Sequence, residues 1–458
     1  MPTADHALLA PLANALPLVE RASRMPRGFA AVGTTAGIKA SGRPDFALVV
    51  ATGGPVPAAA VFTPNRFAAA PVRLSRANLQ ATGGTSATCG YASAVIATSG
   101  SANAATGDAG DADQAAIGVA VAGAIGDEPA HVLHLSTGVI GTRLPVDKVV
   151  ATIRRVVGEG LEYTDLALGQ AAVALRTTDS TTKMASVTVD VPGADGGTTS
   201  ITVTGIAKGV GMIHPRMATM LSIVLTDATA SPATLRELLR GAAAVTWDQL
   251  SVDGDTSTND TVFALASGAA GAASADENAA ARTALARALQ AVARDLARQQ
   301  ARDGEGATAL ITCHVTGAAD DADARAVARA VISSSLVKAA VHGKDANWGR
   351  IAGAAGNALV AEAAVLEAAG LSPADAAARA CQPAAVAPDR MRIAIAGHLA
   401  YDGPAGGPVG IDKGAAREAM AAEEVVIRVD LGLGEGTGEA FGCPLTEAYV
   451  RENAEYTT

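Results

Sequence analysis

Strand-like and helix-like segments follow one another in this chain without a regular strand–helix–strand alternation, and this order limits the possible folds. Short β-branched or apolar runs predict strands at residues 46–50, 58–62, 94–98, 131–135, 186–191, 199–204, 220–225 and 425–431. Apolar periodicity and Ala-rich runs predict helices at residues 111–125, 146–157, 275–302, 322–332 and 415–421. Because a doubly wound parallel sheet needs alternating strands and helices, this order predicts an α+β fold.

Two of these elements have strong local signals. The β-branched runs at 186–191 and 199–204 lie on either side of a Gly-rich turn, which predicts a β-hairpin. Ser274 and Glu277 have the spacing of a capping box, which predicts that the long helix begins near residue 275. The apolar side chains of this helix recur on one face, at Leu285, Leu289, Val292 and Leu296.

Composition narrows the class of protein. The chain has 458 residues, of which 49% are hydrophobic and 17% charged, so we expect a folded chain with a large core and two subdomains. A net charge of −10 disfavours nucleic acid or an anionic membrane as the main partner. We expect no membrane-spanning helix, since no apolar run is long enough. Residues 1–27 lack the pattern of a signal peptide and are expected to form a variable tail.

The cysteines and histidines do not have the spacing of a metal site. None of the cysteines forms a CxxC pair, so we expect reduced, partly buried thiols in a cytoplasmic protein, and no metal. The four cysteines are Cys89, Cys313, Cys381 and Cys443. A dinucleotide fingerprint is also excluded, because Gly209 and Gly211 are followed by His214 where a third glycine is required.

Four polar segments interrupt apolar sequence and are candidates for a functional site. They read STG from Ser136, KGVGMIHPRMAT from Lys208, SVDGDTSTND from Ser251 and GKDANWGRI from Gly343. Taken singly, each segment is compatible with a turn that has no further role. As parts of a site, the Thr137 hydroxyl and the Gly138 amide can donate two hydrogen bonds to one oxygen, as an acyl-transfer intermediate requires. Lys208 can pair with a substrate carboxylate.

Nine segments in the same order resemble the ornithine acetyltransferase family. They read GFAAVGTTAGIKASGRPD from Gly28, VFTPNRFAAAPV from Val61, STGVIG from Ser136, TTD from Thr177, KGVGMIHPRMATML from Lys208, SVDGDTSTNDTV from Ser251, DGEGAT from Asp303, GKDANWGRI from Gly343 and ENAEYTT from Glu452. The resemblance covers nearly the whole of residues 28–458. It implies a layered α/β/β/α sandwich and a precursor that cuts itself between Ala218 and Thr219. The products would be an intertwined α chain, residues 28–218 after the tail, and β chain, residues 219–458, in an α2β2 assembly.

The resemblance also implies a reaction. Thr219 would take the acetyl group of N-acetylornithine and pass it to glutamate in a ping-pong transfer, without a cofactor. A threonine hydroxyl is a weak nucleophile without a base, and the α-amino group freed by cleavage has a pKa suited to that task. Thr137 and the Gly138 amide would stabilise the oxyanion. The family's substrate-binding positions correspond to Thr177, Lys208, Thr219, Glu305, Asn453 and Thr458.

Two departures and several alternatives stay open at this point. The family more often has Ala, Cys or Glu at His214, and Asn or Asp at Arg216, so these residues are candidates to alter the cleavage rate or acceptor preference. Some relatives also accept acetyl-CoA as the acetyl donor. A hydrolase with the same self-cleaved nucleophile would use water as the acceptor. A non-catalytic binding protein is the third alternative, and retention of Thr219, Thr137 and Lys208 argues against it.

Overall fold

The computed structural model describes residues 16–84, 86–214 and 220–455. Its strands, in chain order, are β1 (Phe29–Thr34), β2 (Phe46–Ala51), β3 (Val56–Phe62), β4 (Cys89–Ala92), β5 (Ala94–Ser101), β6 (Val132–Val139), β7 (Lys183–Pro192), β8 (Thr198–Lys208), β9 (Leu221–Thr226), β10 (Leu250–Ser251), β11 (Thr261–Ala266), β12 (Leu310–Ala318), β13 (Arg392–Ile395), β14 (His398–Asp402), β15 (Gly407–Pro408), β16 (Glu424–Asp430) and β17 (Gly436–Gly442). Its α-helices are α1 (Ala70–Gly83), α2 (Gly107–Ile125), α3 (Val146–Glu159), α4 (Asp165–Leu175), α5 (Pro232–Val245), α6 (Ala279–Arg302), α7 (Asp321–Ser333), α8 (Ser335–His342), α9 (Trp348–Gly356), α10 (Ala363–Ala368), α11 (Pro373–Arg379), α12 (Lys413–Ala419) and α13 (Glu447–Ala454).

Two sheets pack face to face in the first part of the chain. One has the strand order β1-β2-β5-β6 and the other β4-β3-β11-β9-β8-β7. Alternate residues of a strand point to opposite faces of its sheet, and β2 shows both environments. Ala47 and Val49 belong to the core between the two sheets, together with Ile223 of β9 and Phe263 of β11. Each sheet therefore buries one face against the other.

Helices cover the outer faces of the two sheets. Phe46 and Leu48 of β2 pack with Ile117 of α2 and Ile153 of α3. On the far side, the outer face of the six-stranded sheet packs against α5 and α6, and the residues in this core include Val187, Val203, Leu235, Leu285 and Leu289. The order of layers is thus helices, sheet, sheet, helices. The predicted α+β fold with an α/β/β/α sandwich is confirmed.

A third sheet is built mostly from the part of the chain after residue 309, and the short strand β10 adds to one edge of it. Its strand order is β10-β17-β12-β16-β13-β14-β15. Its core includes Val327 of α7 and Ile351 of α9, which pack on Ile311 of β12 and Ile427 of β16. Helix α6 lies between this sheet and the sandwich, and Arg294 on α6 forms an ion pair with Glu439 on β17. The long helix therefore contacts both the sandwich and the third sheet.

The predicted chains on either side of residue 218 share one sheet. Strand β8 precedes the predicted cut and β9 follows it, and the two strands pair antiparallel with Lys208 opposite Leu221. Strand β9 then pairs in parallel with β11. Segments on both sides of residue 218 thus build the central part of one hydrogen-bonded sheet. The division of the chain into domains at residue 218 remains a prediction.

Several local predictions differ from the structure. The long helix begins at Ala279 rather than near residue 275, because Asn278 is the N-cap and accepts a hydrogen bond from the Ala281 amide. Ser274 instead donates to the Asp276 carboxylate, 3.0 Å away, in the preceding turn. In the part of the predicted tail that the structure describes, Glu20 forms a β-bridge with Ser186. This segment is therefore packed on the fold.

The cysteines match their prediction in part. Cys89, Cys313 and Cys443 are buried, whereas Cys381 is exposed, and all four are free thiols. Burial raises the pKa of the Cys443 thiol, which therefore stays protonated near neutral pH. Within the described ranges, no helix is both long and apolar enough to cross a membrane.

Candidate functional site

Thr137 and Gly138 lie at the end of β6, where the strand pairs in parallel with β5 and Gly100 is opposite Gly138. Gly138 has a φ of 131°, which side-chain-bearing residues rarely adopt. A Cβ at this position would lie only 2.4 Å from the carbonyl carbon of Gly100. The close approach of the two backbones therefore requires glycine at position 138, and it fixes the peptide that follows Thr137.

Lys208 is the last residue of β8, and its Nζ lies 3.2 Å from the Oγ1 of Thr137. A lysine ammonium can only donate, so the Thr137 oxygen accepts this hydrogen bond and its own proton stays available for donation. Burial lowers the pKa of Lys208, and the negative charges of Asp179, Glu305 and Asp260 oppose that shift. The arrangement leaves the hydroxyl of Thr137 as a donor beside a cation.

Asp179 is the buried carboxylate that supports Lys208. It accepts hydrogen bonds from the Gly209 amide at 2.8 Å and from the Thr177 amide at 3.0 Å. Burial alone would raise the pKa of Asp179, but Lys208, Lys183 and the Gly209 amide outweigh burial and lower this pKa. Asp179 is therefore ionised at neutral pH, and it connects predicted substrate residue Thr177 to the end of the Lys208 strand.

Lys183 forms a buried charge network with two carboxylates. Its ammonium lies 2.7 Å from Asp179 and 2.6 Å from Asp303, and its side chain is completely buried. Asp303 also accepts the amides of Ser180 and Thr181. Asp179 and Asp303 lie in two segments that resemble the family, TTD and DGEGAT, but the sequence alone predicts no role for either residue. The sequence signal that could have found these two residues is a charged side chain next to a candidate site residue in a polar turn.

Glu305 is the centre of a second polar cluster. Its carboxylate accepts hydrogen bonds from the Thr178 hydroxyl at 3.1 Å and from the Asn453 side-chain amide at 2.9 Å. The absence of a side chain at Gly211 makes room for it, since a Cβ there would lie 2.3 Å from a Glu305 carboxylate oxygen. The structure thus brings Glu305 and Asn453 together, as predicted, although they are far apart in the sequence.

The polar segment from Ser251 holds the residues that follow Lys208. The Asp253 carboxylate accepts hydrogen bonds from the amides of Met212 and Ile213. The Thr256 hydroxyl donates to the His214 carbonyl at 2.9 Å, and the His214 ring lies 3.0 Å from the Ser251 hydroxyl. This segment therefore holds residues 212–214 in place through hydrogen bonds.

Three predicted site residues, Ala218, Thr219 and Thr458, lie outside the described residues. The nearest described residue after the predicted cut is Met220, whose carbonyl accepts a hydrogen bond from the Thr261 amide at 2.9 Å. Leu221 is the register partner of Lys208. The residues that follow the predicted nucleophile therefore lie at the same end of the six-stranded sheet as Lys208.

No group of three or more residues suited to hold a metal ion occurs in the part of the chain that the structure describes. The charges that gather at the site are instead those of Lys208, Lys183, Asp179 and Glu305. Lys183 and Asp179 are buried and paired with each other, so Lys208 and Glu305 are the charges of this set that suit a small molecule with both a negative and a positive group.

The fold and the site together define an α+β protein with a layered sandwich and a charged polar site at the end of its six-stranded sheet. The chain belongs to the ArgJ family, whose model matches residues 30–458. It is 43% identical to the arginine biosynthesis bifunctional protein ArgJ of Thermosynechococcus vestitus, over 94% of this chain and 97% of that protein. The corresponding protein of Thermus thermophilus is 41% identical, over 95% of this chain and all of its own length.

Among solved structures, the arginine biosynthesis bifunctional protein argJ of Bacillus halodurans is similar to this chain. The match has 39% sequence identity and a TM-score of 0.43, and it covers 52% of this chain and 99% of the other.

Proposed function

We propose that this protein transfers the acetyl group of N2-acetyl-L-ornithine to L-glutamate, in arginine biosynthesis. The sequence identity to proteins named as bifunctional enzymes of arginine biosynthesis supports this assignment. The observation that carries it is the contact between Lys208 and the Thr137 hydroxyl, next to the Gly138 amide. Two donors beside a cation are what the oxyanion and the carboxylate of such a reaction need.

Autocleavage supplies the nucleophile in this proposal. The Thr219 hydroxyl attacks the carbonyl carbon of Ala218, the peptide C–N bond breaks, and the α chain is left as an ester on Thr219. Breaking the C–N bond frees the α-amino group of Thr219, which takes the hydroxyl proton. Water then hydrolyses the ester and frees the Thr219 hydroxyl and the Ala218 carboxyl group. An α-amino group has a pKa of roughly 7.7–8.0, so it serves as the general base near neutral pH.

The transfer repeats this chemistry with acetyl. The Thr219 oxygen bonds to the acetyl carbon of N-acetylornithine, the amide C–N bond breaks, and the leaving amine takes the proton held by the α-amino group. The glutamate amine then attacks the carbonyl carbon of the acetyl ester, and the ester C–O bond breaks. The α-amino group passes the amine proton to the Thr219 oxygen, and N-acetylglutamate departs. Thr137 and Gly138 bind the oxyanion in both half-reactions.

Substrate recognition follows from the two charged parts of the site. Lys208 pairs with the substrate α-carboxylate, and Glu305 with Asn453 addresses an amino group. The negative charge of Glu305 opposes the lowering of the Lys208 pKa by burial, which is consistent with the two groups facing the same site. Thr177 and the terminal Thr458 complete the proposed binding set.

The remaining parts of the proposal concern donors, assembly and location. Acetyl-CoA is an alternative acetyl donor and no cofactor takes part, because Thr219 carries the acetyl group itself. The cut α and β chains stay together, since each supplies strands to one sheet. The proposed assembly is α2β2, and the proposed location is the cytoplasm. Neither nucleic acid nor a membrane is a partner.

Transfer from N-acetylornithine to isotopically labelled glutamate tests the assignment. We expect labelled N-acetylglutamate to form in step with free ornithine. If ornithine and free acetate form but the labelled glutamate is not acetylated, the protein is an amidohydrolase with the same nucleophile. If neither product forms with fully cleaved protein, the proposed function is wrong.

A further inference from the structure

Lys39 belongs to the conspicuous segment GIKASGRPD, which no part of the proposed function uses. It lies in the loop between β1 and β2, and its side chain is half buried. Its ammonium donates to the Pro44 carbonyl at 2.7 Å and to the Arg176 carbonyl at 2.6 Å. These short distances are typical of charge-assisted hydrogen bonds. Lys39 therefore joins two segments that are 137 positions apart.

The Arg176 carbonyl belongs to the same peptide as the Thr177 amide, which donates to Asp179. Asp179 in turn accepts the Gly209 amide, immediately after Lys208. Lys39 thus binds the turn that carries both Thr177 and Asp179, and Asp179 is the carboxylate next to Lys208. A shift of this peptide would move a proposed binding residue directly.

The stem of Lys39 lies against the back of the proposed oxyanion site. A Cβ at Gly100 would lie 3.2 Å from the Lys39 Cγ, so the two are in close contact. Gly100 is the register partner of Gly138 in the neighbouring strand. The same side chain therefore touches the strand that backs Gly138 and binds the turn that holds Thr177.

The loop around Lys39 is itself firmly held. The buried carboxylate of Asp45 accepts the amides of Ile38 at 2.6 Å and Lys39 at 2.8 Å. Since the loop has its own anchor, the Lys39 side chain is not needed to close it. Its hydrogen bond to the Arg176 carbonyl is therefore better explained as fixing the turn at residues 176–179 than as closing the loop that carries Lys39.

We infer that Lys39 is a positioning residue for substrate binding: it fixes the 176–177 peptide relative to the strand behind Gly138. The inference rests on the proposed function, because it assigns Thr177 to the substrate site. Lys39 acts on binding through the turn and not on the chemical step. Its loss therefore raises KM for both amino-acid substrates and leaves kcat nearly unchanged.

The charges that face Lys39 give a second, independent readout. Burial lowers the pKa of Lys39 to about 8, Arg43 and Lys208 act in the same direction, and Asp45 and Asp179 oppose them. As pH rises through about 8, Lys39 loses the charge that strengthens its two hydrogen bonds. An arginine at this position stays charged throughout that range.

The experiment compares Lys39→Met with Lys148→Met in the cleaved protein. Lys148 is a matched control because it donates to Gly37 in the same loop, is exposed, and contacts no proposed site residue. Loss of a charge-assisted bond predicts a rise of about tenfold in KM for N-acetylornithine and glutamate in Lys39→Met. Cleavage, Tm and kcat should equal those of Lys148→Met. Equal KM values in the two variants, or a loss confined to kcat, would overturn the inference.

If Lys39→Met does not fold, Lys39→Arg provides the decision. The inference predicts that KM of the wild type rises between about pH 7 and 9 more steeply than KM of Lys39→Arg. Identical profiles contradict it. Wild-type protein that does not transfer acetyl at all contradicts the proposed function instead, so the two failures are distinguishable.

Discussion

Lys208 Nζ and Thr137 Oγ1 lie 3.2 Å apart, although the two residues come from different sheets of the sandwich. Strand β6 delivers the threonine and strand β8 the lysine, and both residues stand at the end of their strand or beside it. The contact makes the threonine oxygen an acceptor for the ammonium and its proton a donor for substrate. Both sheets are therefore needed to bring these two site residues together.

Removing the Thr137 hydroxyl should slow the chemical step. Thr137→Val keeps the shape and removes the donor, and loss of one oxyanion donor typically lowers kcat by about 10²–10³. Steady-state kinetics of cleaved protein measure this effect. Thr137→Ser keeps the hydroxyl and should retain most of kcat. Equal kcat values for the valine and serine variants would exclude the role of this hydroxyl.

Removing the charge of Lys208 should weaken substrate binding. Lys208→Met deletes a charge-assisted hydrogen bond worth about 1.5–3 kcal/mol, so KM should rise roughly ten- to hundredfold for both amino acids. Because the pKa of Lys208 is lowered, KM of the wild type should also rise with pH below the usual range of lysine titration. If KM in Lys208→Met equals that of the wild type, another group binds the substrate carboxylate.

The Lys183 network should control stability more than any exposed ion pair. Lys183→Met leaves Asp179 and Asp303 without their shared buried cation, and breaking such a pair costs about 3–5 kcal/mol. Urea unfolding measures this cost. The double variant with Asp303→Asn should recover part of the loss, since it removes one uncompensated charge. Exposed Arg155 and Glu159 form a control pair whose disruption should change stability by less than about 1 kcal/mol.

His134 should make the fold sensitive to acid. The ring is completely enclosed in β6 next to Gln114, and burial lowers its pKa to about 3. An unfolded histidine titrates near about 6.5, so below that pH the unfolded state binds more protons and stability falls as pH decreases. One group contributes a slope of about 1.4 kcal/mol per pH unit in this window.

Two histidine variants separate the contribution of His134 from that of the other titrating groups. His134→Gln should remove that slope between about pH 6 and 4 in urea unfolding, whereas His398→Gln, at a partly exposed position, should keep it. An unchanged slope in His134→Gln would show that other groups cause the acid sensitivity.

Elements with clear periodicity could be predicted from the sequence. The hairpin strands β7 and β8 were expected at 186–191 and 199–204, and they are longer in the structure because pairing continues from Lys183 to Pro192 and from Thr198 to Lys208. The start of α6 was misplaced, because both Ser274 and Asn278 are good N-cap residues and only tertiary contacts select between them. Local sequence signals therefore predict that a helix or strand exists better than they predict the residues at which it begins and ends.

The candidate site shows a similar division. Thr137, Lys208, Glu305 and Asn453 were expected from the resemblance, and the structure joins them in two contacts. Asp179 and Lys183 were not assigned roles, since a short polar turn looks the same in sequence whether its charges are buried or exposed. Their burial depends on Asp303, 120 positions away from Lys183, which no local pattern indicates.

The central claim is that Thr219 is freed by cleavage and then carries acetyl. Intact mass measurement of denatured protein, before and after incubation with N-acetylornithine and no acceptor, tests both parts. We predict two chains, one ending at Ala218 and one beginning at Thr219, with one acetyl group added to the second chain and removed again by glutamate. Thr219→Ala should give one uncut chain that never gains acetyl. A wild-type chain that stays uncut yet transfers acetyl, or acetyl found on another residue, would contradict the account.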